Sequence, residues 1–479
     1  MNLYQQFSNT AARQLAHPAV IGPAGDACLS YGELREAIRA TSDQLTSCGV
    51  RPGHCVGLHF PSTKDYIIYT YAIWRCGACV VPVPMELAAV EKSEICRCLA
   101  LDSVITSGRG SAFLEPFRRA ESIPLGNDQL VPIRGPRRHP EGFGELNSAF
   151  IRFTSGTTGT SKGVVLSHET IDERIRGANA ALAIGPRDRI LWVLSMSYHF
   201  TVSIVAYLTF GATIVLPVNH FAAAITASIE RHAATLLYAS PTHYGLLADY
   251  PPGKPLPSLR LAVSTTSALD GGVAARFAQR YGLILSQALG IIEVGLPCIH
   301  VDPAADRCSS VGRVLPPYRL RLDDAGLGPE LKEVLLTGPG LLDAYYDPWQ
   351  TRDQIMPDGW FRTGDIGCVD RDGYLFLRGR SKDVICVMGM KFFPQEVERV
   401  LTAHPQVQAA SVFGRHDDRS GETVHARVVT DGVADLARFE RELRHYCRQH
   451  LASYKVPDKI ELVSALPRTA SGKVLHRAG

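Results

Sequence analysis

From His54 to Thr265 short apolar runs alternate with stretches of helical periodicity, and no other feature of the chain restricts its fold so much. "HCVGLHF" at 54–60, "CVVPV" at 79–83 and "SVIT" at 103–106 read as strands, with "TKDYIIYTYAIWRCG" as the helix joining the first two. The rhythm continues through "RILWVLSM", "GATIVLPV", "ATLLYAS" and "LRLAVST", each next to a plausible helix. Strands that are apolar along their whole length are buried on both faces, and parallel neighbours need a helical crossover. The expected fold class is therefore α/β, with a largely parallel sheet built from βαβ units.

The texture changes from about residue 308. "SSVGRVLPPYRLRL", "KEVLLTG" and "YLFLRG" are shorter strands joined by Gly, Asp and Pro turns, which suggests a more antiparallel, β-rich subdomain. A boundary is expected in "LRGRSKDVI", near 378–384, dividing residues 1–380 from 381–479. The C-terminal piece reads as a helix near 394–403, strands at "AASVFG" and "VHARVVT", a helix at "LARFERELRHYCRQH" and a strand at "KIELV".

Between two apolar runs lies "FTSGTTGTSKGVVLSH", residues 153–168. Its glycines leave room for a ligand to approach the backbone, its hydroxyls add donors, and successive amides can form an anion nest. Lys162 adds a point charge, so the stretch suits a polyphosphate. The order differs from GxxxxGK[ST], because Lys162 precedes Gly163 and no hydroxyl residue follows to hold a metal. A P-loop NTPase is disfavoured.

Bulk properties exclude other classes. Fifty Lys+Arg against 47 Asp+Glu give a net charge of +3, far from the basic footprint of a nucleic-acid binder. No run reaches the ~18 apolar residues of a membrane span, and "MNLYQQFSNTAARQLAHP" lacks a signal-peptide pattern, so a cytoplasmic enzyme or binding protein without stable membrane insertion is expected. Cys76 and Cys79 have metal-like spacing, but the apolar context of the twelve cysteines reads as reduced, mostly buried thiols. No Ser-His-Asp or Cys-His arrangement stands out.

The phosphate stretch resembles the nucleotide loop of the adenylate-forming superfamily: acyl- and aryl-CoA ligases, luciferases and the adenylation domains of nonribosomal peptide synthetases. Further motifs follow in that family's order over nearly the whole chain: "STTSALD" at 264–270, "QALGIIE" at 287–293, "GLLDAYYDPWQT", "GWFRTGD" at 359–365, "GRSKDVI" and "LPRTASGKVLHR". The resemblance implies a large N-terminal domain of stacked α/β subdomains plus a β-rich one, and a small, mobile α+β C-terminal domain. It implies ATP and Mg²⁺ as cofactors, with CoA or a phosphopantetheine thiol as co-substrate.

It also implies roles by position. Thr154, Ser155, Gly156, Thr157, Thr158, Gly159 and Lys162 would hold phosphates; Thr266, Ser267, Ala268, Leu289 and Gly290 would surround adenine. Asp365 would bind the ribose hydroxyls and Arg380 ribose or phosphate. Glu293 would be the Mg²⁺ carboxylate, and Lys473 the lysine that reaches acyl and phosphate oxygens. Lys382 would be the hinge; Cys386 and Gly389 would line the thiol tunnel. Tyr198, His199, Ser240, His243, Thr265, Gln287, Ala288 and Ile292 would line the acyl pocket, with His199 between that pocket and the nucleotide. The chain departs from the family pattern at Ser161 (usually proline), Leu289 (usually aromatic), Ile292 (usually threonine), and Thr265 and Thr266 (usually small).

The implied reaction is attack of a carboxylate on the α-phosphorus of ATP, release of pyrophosphate, and transfer of the acyl group from AMP to a thiol, CoA first. Loading of a stand-alone carrier protein in trans is the alternative, and a catalytically degenerate ligand-binding protein the lesser one. "SMSYHFTVS" has no aspartate to pair with an α-ammonium, and an unpaired buried ammonium is costly. An aryl, short or medium acyl, or unusual biosynthetic acid is thus expected over an α-amino acid.

Overall fold

The computed structural model describes residues 1–23, 28–134, 138–153, 162–251, 255–301, 307–327, 331–417, 421–430 and 435–467. The chain packs as two compact units. The first comprises Met1–Arg319 and Thr337–Phe361, the second Leu320–Leu336 and Arg362–Gly479. The four-stranded sheet that the sequence reading groups with the N-terminal part thus packs with the C-terminal residues.

Among the described residues the first unit contains two nine-stranded sheets. In one, Pro18–Ile21, Thr213–Val215, Arg189–Trp192, Leu236–Ala239, Leu261–Ser264 and Ser286–Ile291 lie side by side in that order, all parallel. Antiparallel strands close its edges: Cys28–Ser30 on one side, Gly295–Ile299 and Arg313–Val314 on the other. The second sheet has a parallel centre of Ser148–Phe153, Cys79–Pro82, Cys55–His59 and Ser103–Thr106. Gly163–Ser167, Ala344–Tyr345 and Gln350–Thr351 flank it antiparallel on one side, Asp128–Pro132 and Ile123–Leu125 on the other. Every apolar run picked out above is a strand, because each is buried and linked by a crossover. The parallel order stops at the flanks.

Helix Lys64–Arg75 is buried without a break from Tyr66 to Trp74. Trp74 is completely buried and its indole Nε1 donates to the carbonyl of Ala149 at 2.7 Å, tying this helix to strand Ser148–Phe153. Helix Tyr31–Ser47 starts at a capping box: Glu33 N donates to Ser30 Oγ at 3.2 Å, and Ser30 N to Glu33 Oε2 at 2.8 Å.

The second unit holds a four-stranded sheet, Arg319–Asp324, Lys332–Thr337, Phe361–Val369 and Leu375–Arg380, and a five-stranded one. In the latter Met390–Phe392, Ile385–Val387, Gly421–Thr430 and Val407–Asp417 are joined by Lys459–Leu462, which runs parallel to Gly421–Thr430. Helices Pro394–Thr402 and Leu436–His450 bury Val397, Leu401, Phe439 and Leu443 in its core. These match the C-terminal elements read from the sequence.

All twelve cysteines are free thiols; five are buried, six half-buried and Cys28 exposed, so burial is less general than the sequence suggests. Cys76 Sγ meets Ser42 Oγ at 3.2 Å, while Cys79 is buried beside the Cys55 thiol. Among the described residues no group of three or more His, Cys, Asp or Glu is arranged to hold a metal ion, and no helix is long and apolar enough to cross a membrane.

Helix His168–Leu182 begins with a buried imidazole. His168 Nδ1 accepts from Leu3 N at 3.2 Å and the ring meets the edge of Trp74 at 5.8 Å. Burial holds its pKa down to about 4. The unfolded imidazole, at 6.5, takes up a proton as pH falls while the folded one stays neutral. Stability should therefore fall between pH 6.5 and 4, by up to about 3 kcal/mol. Thermal midpoints measured across that range should show the loss, and His168→Gln, which keeps an acceptor for Leu3, should flatten it.

Candidate active site

Strands Ser148–Phe153 and Gly163–Ser167 pair antiparallel, with Phe153 opposite Gly163. Thr154, Ser155, Gly156, Thr157, Thr158, Gly159 and Ser161, between them, lie outside the described residues, as does Lys473. Lys162 is described, and its Nζ stands 4.5 Å from the centre of the Tyr345 ring. Register explains the approach: Tyr345 pairs with Val164, and Tyr346 N donates to the carbonyl of Gly163 at 2.7 Å. On its other side the Tyr345 hydroxyl donates to Glu293 Oε1 at 3.2 Å. Burial, then the charge of Glu293, raises the phenol pKa, so Tyr345 stays a neutral donor. Lys162 and Glu293, paired in function by the sequence reading, thus meet on one phenol.

Glu293 sits at the turn between strands Ser286–Ile291 and Gly295–Ile299, where Val294 N donates to the carbonyl of Ile291 at 2.9 Å. Leu342 N donates to the Glu293 carbonyl at 2.7 Å. A residue that sequence reasoning missed holds this turn: Arg174, on helix His168–Leu182, is 1% exposed. Its Nη1 donates to the carbonyl of Ile292 at 3.0 Å; its Nε and Nη2 donate to that of Gly340 at 3.0 and 2.6 Å. Desolvation lowers its pKa to about 10, against the attraction of Tyr318, Asp343 and Glu293, so it remains charged. Gly340 has φ +70°, and a Cβ there would lie 2.7 Å from the backbone nitrogen of Arg174 and 2.9 Å from the carbonyl oxygen of Thr170. Asp343 secures the same helix start, accepting from Ser167 N at 2.6 Å, Thr170 Oγ1 at 3.0 Å and Arg352 Nη2 at 2.8 Å.

The residues expected around the acyl group separate into distinct environments. Tyr198 and His199 end the short helix Met196–His199. Tyr198 lies under the guanidinium of Arg152, 5.1 Å from the ring centre, and its carbonyl accepts from Arg152 Nη1 at 2.5 Å. His199 turns instead to Trp192 and Tyr238, 6.2 Å from each. Ser240 Oγ and His243 Nδ1 are 2.7 Å apart, and burial holds the His243 pKa near about 4. Thr265 Oγ1 accepts from the Tyr238 hydroxyl at 3.4 Å. Gln287 is 5% exposed and its amide is committed to backbone: Oε1 accepts from Leu269 N at 3.1 Å, and Nε2 donates to the carbonyls of Cys308 and Ser310 at 2.5 and 3.4 Å. Ala288 and Leu289 face Ile299 and Cys298 across the hairpin, and a Cβ on Gly290 would come 3.9 Å from Thr265 Oγ1. Ser267 and Ala268 are exposed. Thr266 has φ +81°, a left-handed conformation that favours glycine, so the departure noted in the sequence strains the backbone.

In the second unit Asp365 and Arg380 are cross-strand neighbours, and Arg380 Nε donates to Asp365 Oδ1 at 2.7 Å. Asp365 N is itself bonded to Thr363 Oγ1 at 3.0 Å. Lys382 lies in the 3₁₀ turn Ser381–Asp383 that follows. Cys386 N donates to Glu422 Oε2 at 2.7 Å, and Met388 and Gly389, with φ of +51° and +81°, form the tip of the next hairpin.

The AMP-binding enzyme family model matches residues 7–346, and that of the AMP-binding enzyme C-terminal domain residues 396–473. The chain is 32% identical to a 3-[(3aS,4S,7aS)-7a-methyl-1,5-dioxo-octahydro-1H-inden-4-yl]propanoyl:CoA ligase of Mycobacterium tuberculosis, over 96% of this chain and 95% of that one. It is 28% identical to a feruloyl-CoA synthase of an Amycolatopsis species, over 97% and 96%. The solved structure of an amide bond synthetase from Marinactinospora thermotolerans superposes with a TM-score of 0.80 at 28% identity, over 98% of each chain.

Two substitutions probe this geometry. Arg174→Met leaves the carbonyls of Ile292 and Gly340 without their donor, and should cost about 3 kcal/mol of stability while raising the Mg²⁺ concentration needed for half-maximal rate. Calorimetry and Mg²⁺ titration check the two effects. Thr266→Gly should stabilise by about 1 kcal/mol, because relief of the left-handed strain outweighs the extra backbone entropy of glycine; a higher thermal midpoint is the expected result.

Proposed function

Because the chain belongs to the AMP-binding enzyme family, we propose that it is an AMP-forming acid–CoA ligase whose substrate is an aryl or a short- to medium-chain acid. A carboxylate acylates poorly, since its leaving group would be oxide. In the first half-reaction a carboxylate oxygen forms a bond to the α-phosphorus of ATP while the bond to the β-phosphate oxygen breaks, releasing pyrophosphate and leaving an acyl-AMP. In the second, the CoA thiolate attacks the acyl carbonyl and AMP departs. No side-chain nucleophile is needed; positioning and charge do the work.

The observation that carries this reading is the convergence of Lys162 and Glu293 on Tyr345. A cation for phosphates and a carboxylate for a metal are held in one register by a strand paired to the phosphate hairpin. One oxygen of Glu293 accepts from Tyr345, and the other has no hydrogen-bond partner among the described residues. Such a carboxylate suits Mg²⁺, which offsets phosphate charge when bound. Asp365 would accept from the ribose hydroxyls, with Arg380 beside it. Lys473 would bridge acyl and phosphate oxygens in the first half-reaction and withdraw as residues 381–479 turn about Lys382, bringing the hairpin of Cys386 and Gly389 to the thiol.

The choice of acid rests on the residues near Tyr198. Segment 195–203 contains no carboxylate to pair with an α-ammonium. His199, Trp192 and Tyr238 form an aromatic cluster suited to a flat apolar group, and Thr265 accepts from the Tyr238 hydroxyl beside it. The Mycobacterium and Amycolatopsis relatives are named for a bicyclic propanoate and for ferulate, which agrees with a cyclic acid.

Pyrophosphate exchange and hydroxamate trapping across benzoates, fatty acids of graded length, hydroxy acids and amino acids provide the test. An aryl or shorter acyl acid should support exchange and, with CoA, yield a thioester; α-amino acids should not. Lys473→Ala should abolish exchange while ATP still binds. Transfer to a phosphopantetheinylated carrier protein but not to CoA would move the acceptor, and exchange with no acid would overturn the reading.

A further inference from the structure

Arg152 immediately precedes Phe153 on the strand that leads into the phosphate stretch, and no role was assigned to it from the sequence. Its surroundings are unusual for a cation. Nη1 is spent on the Tyr198 carbonyl at 2.5 Å, and the guanidinium lies over the Tyr198 ring. Nε is buried and has no hydrogen-bond partner among the described residues. No carboxylate lies within ion-pair distance of it among the described residues. The charged or ionisable groups that bear on it are Tyr198, Glu293 and Tyr66, in that order, and desolvation lowers its pKa. A desolvated cation with no carboxylate in ion-pair contact is costly to keep. A structural cation would be expected to look like Arg174, which spends Nε, Nη1 and Nη2 alike on carbonyls.

The donors left over have a definite shape. Nη1 is engaged, so Nε–H and Nη2 remain as the side-on edge of the guanidinium, two parallel donors whose spacing matches the two oxygens of a carboxylate. That edge belongs to a side chain packed on Tyr198, in the segment expected to line the acyl pocket, and it lies within the field of Glu293, the expected metal carboxylate. A carboxylate approaching the α-phosphate of ATP meets like charge. A guanidinium beside it offsets that repulsion and fixes which oxygen points at phosphorus.

We infer that Arg152 receives the carboxylate of the acid substrate through its Nε and Nη2 edge, pairing with it before adenylation. The inference rests on the acid-activating reading above and adds to it a residue that selects for an anionic substrate and orients it. As the carboxylate oxygen bonds to phosphorus the acid loses its charge, and the carbonyl oxygen that remains keeps one of the two hydrogen bonds.

The test uses the acid with the strongest pyrophosphate exchange in the panel, its primary carboxamide as a competitive ligand, and the variants Arg152→Met and Arg152→Lys. The wild-type enzyme should bind the acid at least tenfold tighter than the carboxamide. Arg152→Met should abolish that preference and raise KM for the acid about 10- to 100-fold, with KM for ATP within threefold; Arg152→Lys should fall between. Kept preference for the acid in Arg152→Met overturns the assignment, as does a raised KM for ATP with the acid unaffected, which would make Arg152 a phosphate ligand. Should Arg152→Met fail to fold, Arg152→Lys decides alone: wild-type values of both KM and of acid preference overturn the assignment. Absence of exchange by the wild-type enzyme with every acid overturns the acid-activating reading and this assignment together, whereas an active wild type with unaltered variants overturns only the role of Arg152.

Discussion

Segments distant in sequence are held together by one buried charge, the guanidinium of Arg174. It draws in the carbonyl of Ile292, at the base of the Glu293 turn, and the carbonyl of Gly340, just before the strand that carries Tyr345. Each hydrogen bond is modest alone, yet a charge with no access to water makes their loss expensive. The helix that carries Arg174 starts where strand Gly163–Ser167 ends, so that strand, the Glu293 turn and the tyrosine between Lys162 and Glu293 hang from a common support. Side chains on strands and helices placed this way are aimed more narrowly than side chains on free loops.

The second organising feature is electrical. Lys162 and Glu293 do not form a direct ion pair; a neutral phenol lies between them, touching the ammonium with its face and the carboxylate with its hydroxyl. A direct pair would satisfy both charges within the protein. With Tyr345 interposed, both groups are oriented by one side chain.

The fold was legible because the signals were local and redundant. Each apolar run from "HCVGLHF" to "LRLAVST" became a strand, since burial on both faces leaves a run that cannot be mistaken for an amphipathic helix. Lys162 and Glu293 were legible through motif order, and the structure brings them together. Arg174 and Arg152 were not, because what they bind are backbone carbonyls and a ring face, partners that leave no residue-type signature at any spacing. Tyr345 stood in a quoted motif, but its part depends on a two-residue strand pairing to the phosphate hairpin, a contact no local pattern encodes. Gln287 shows what a motif leaves out: its position is read from motif order, but the three backbone groups its amide binds are seen only in the fold. Thr266 illustrates a third kind, since the sequence shows that it is larger than usual there but only the backbone, at φ +81°, shows that it is bent the wrong way for a threonine.

The contact between Gly340 and the helix has a bearing on how this protein can change over generations. A left-handed residue whose missing side chain would collide with the backbone of Arg174 and with the carbonyl of Thr170 leaves no room for any other amino acid, while its own carbonyl is what the Arg174 guanidinium grips twice. Neither position drifts freely: a side chain at 340 lifts the strand off the guanidinium, and a shorter residue at 174 leaves the carbonyls of Ile292 and Gly340 without that donor. In descendants of this chain the two sites should be inherited as a pair, exchanged together or not at all, whatever acid the surrounding pocket comes to prefer.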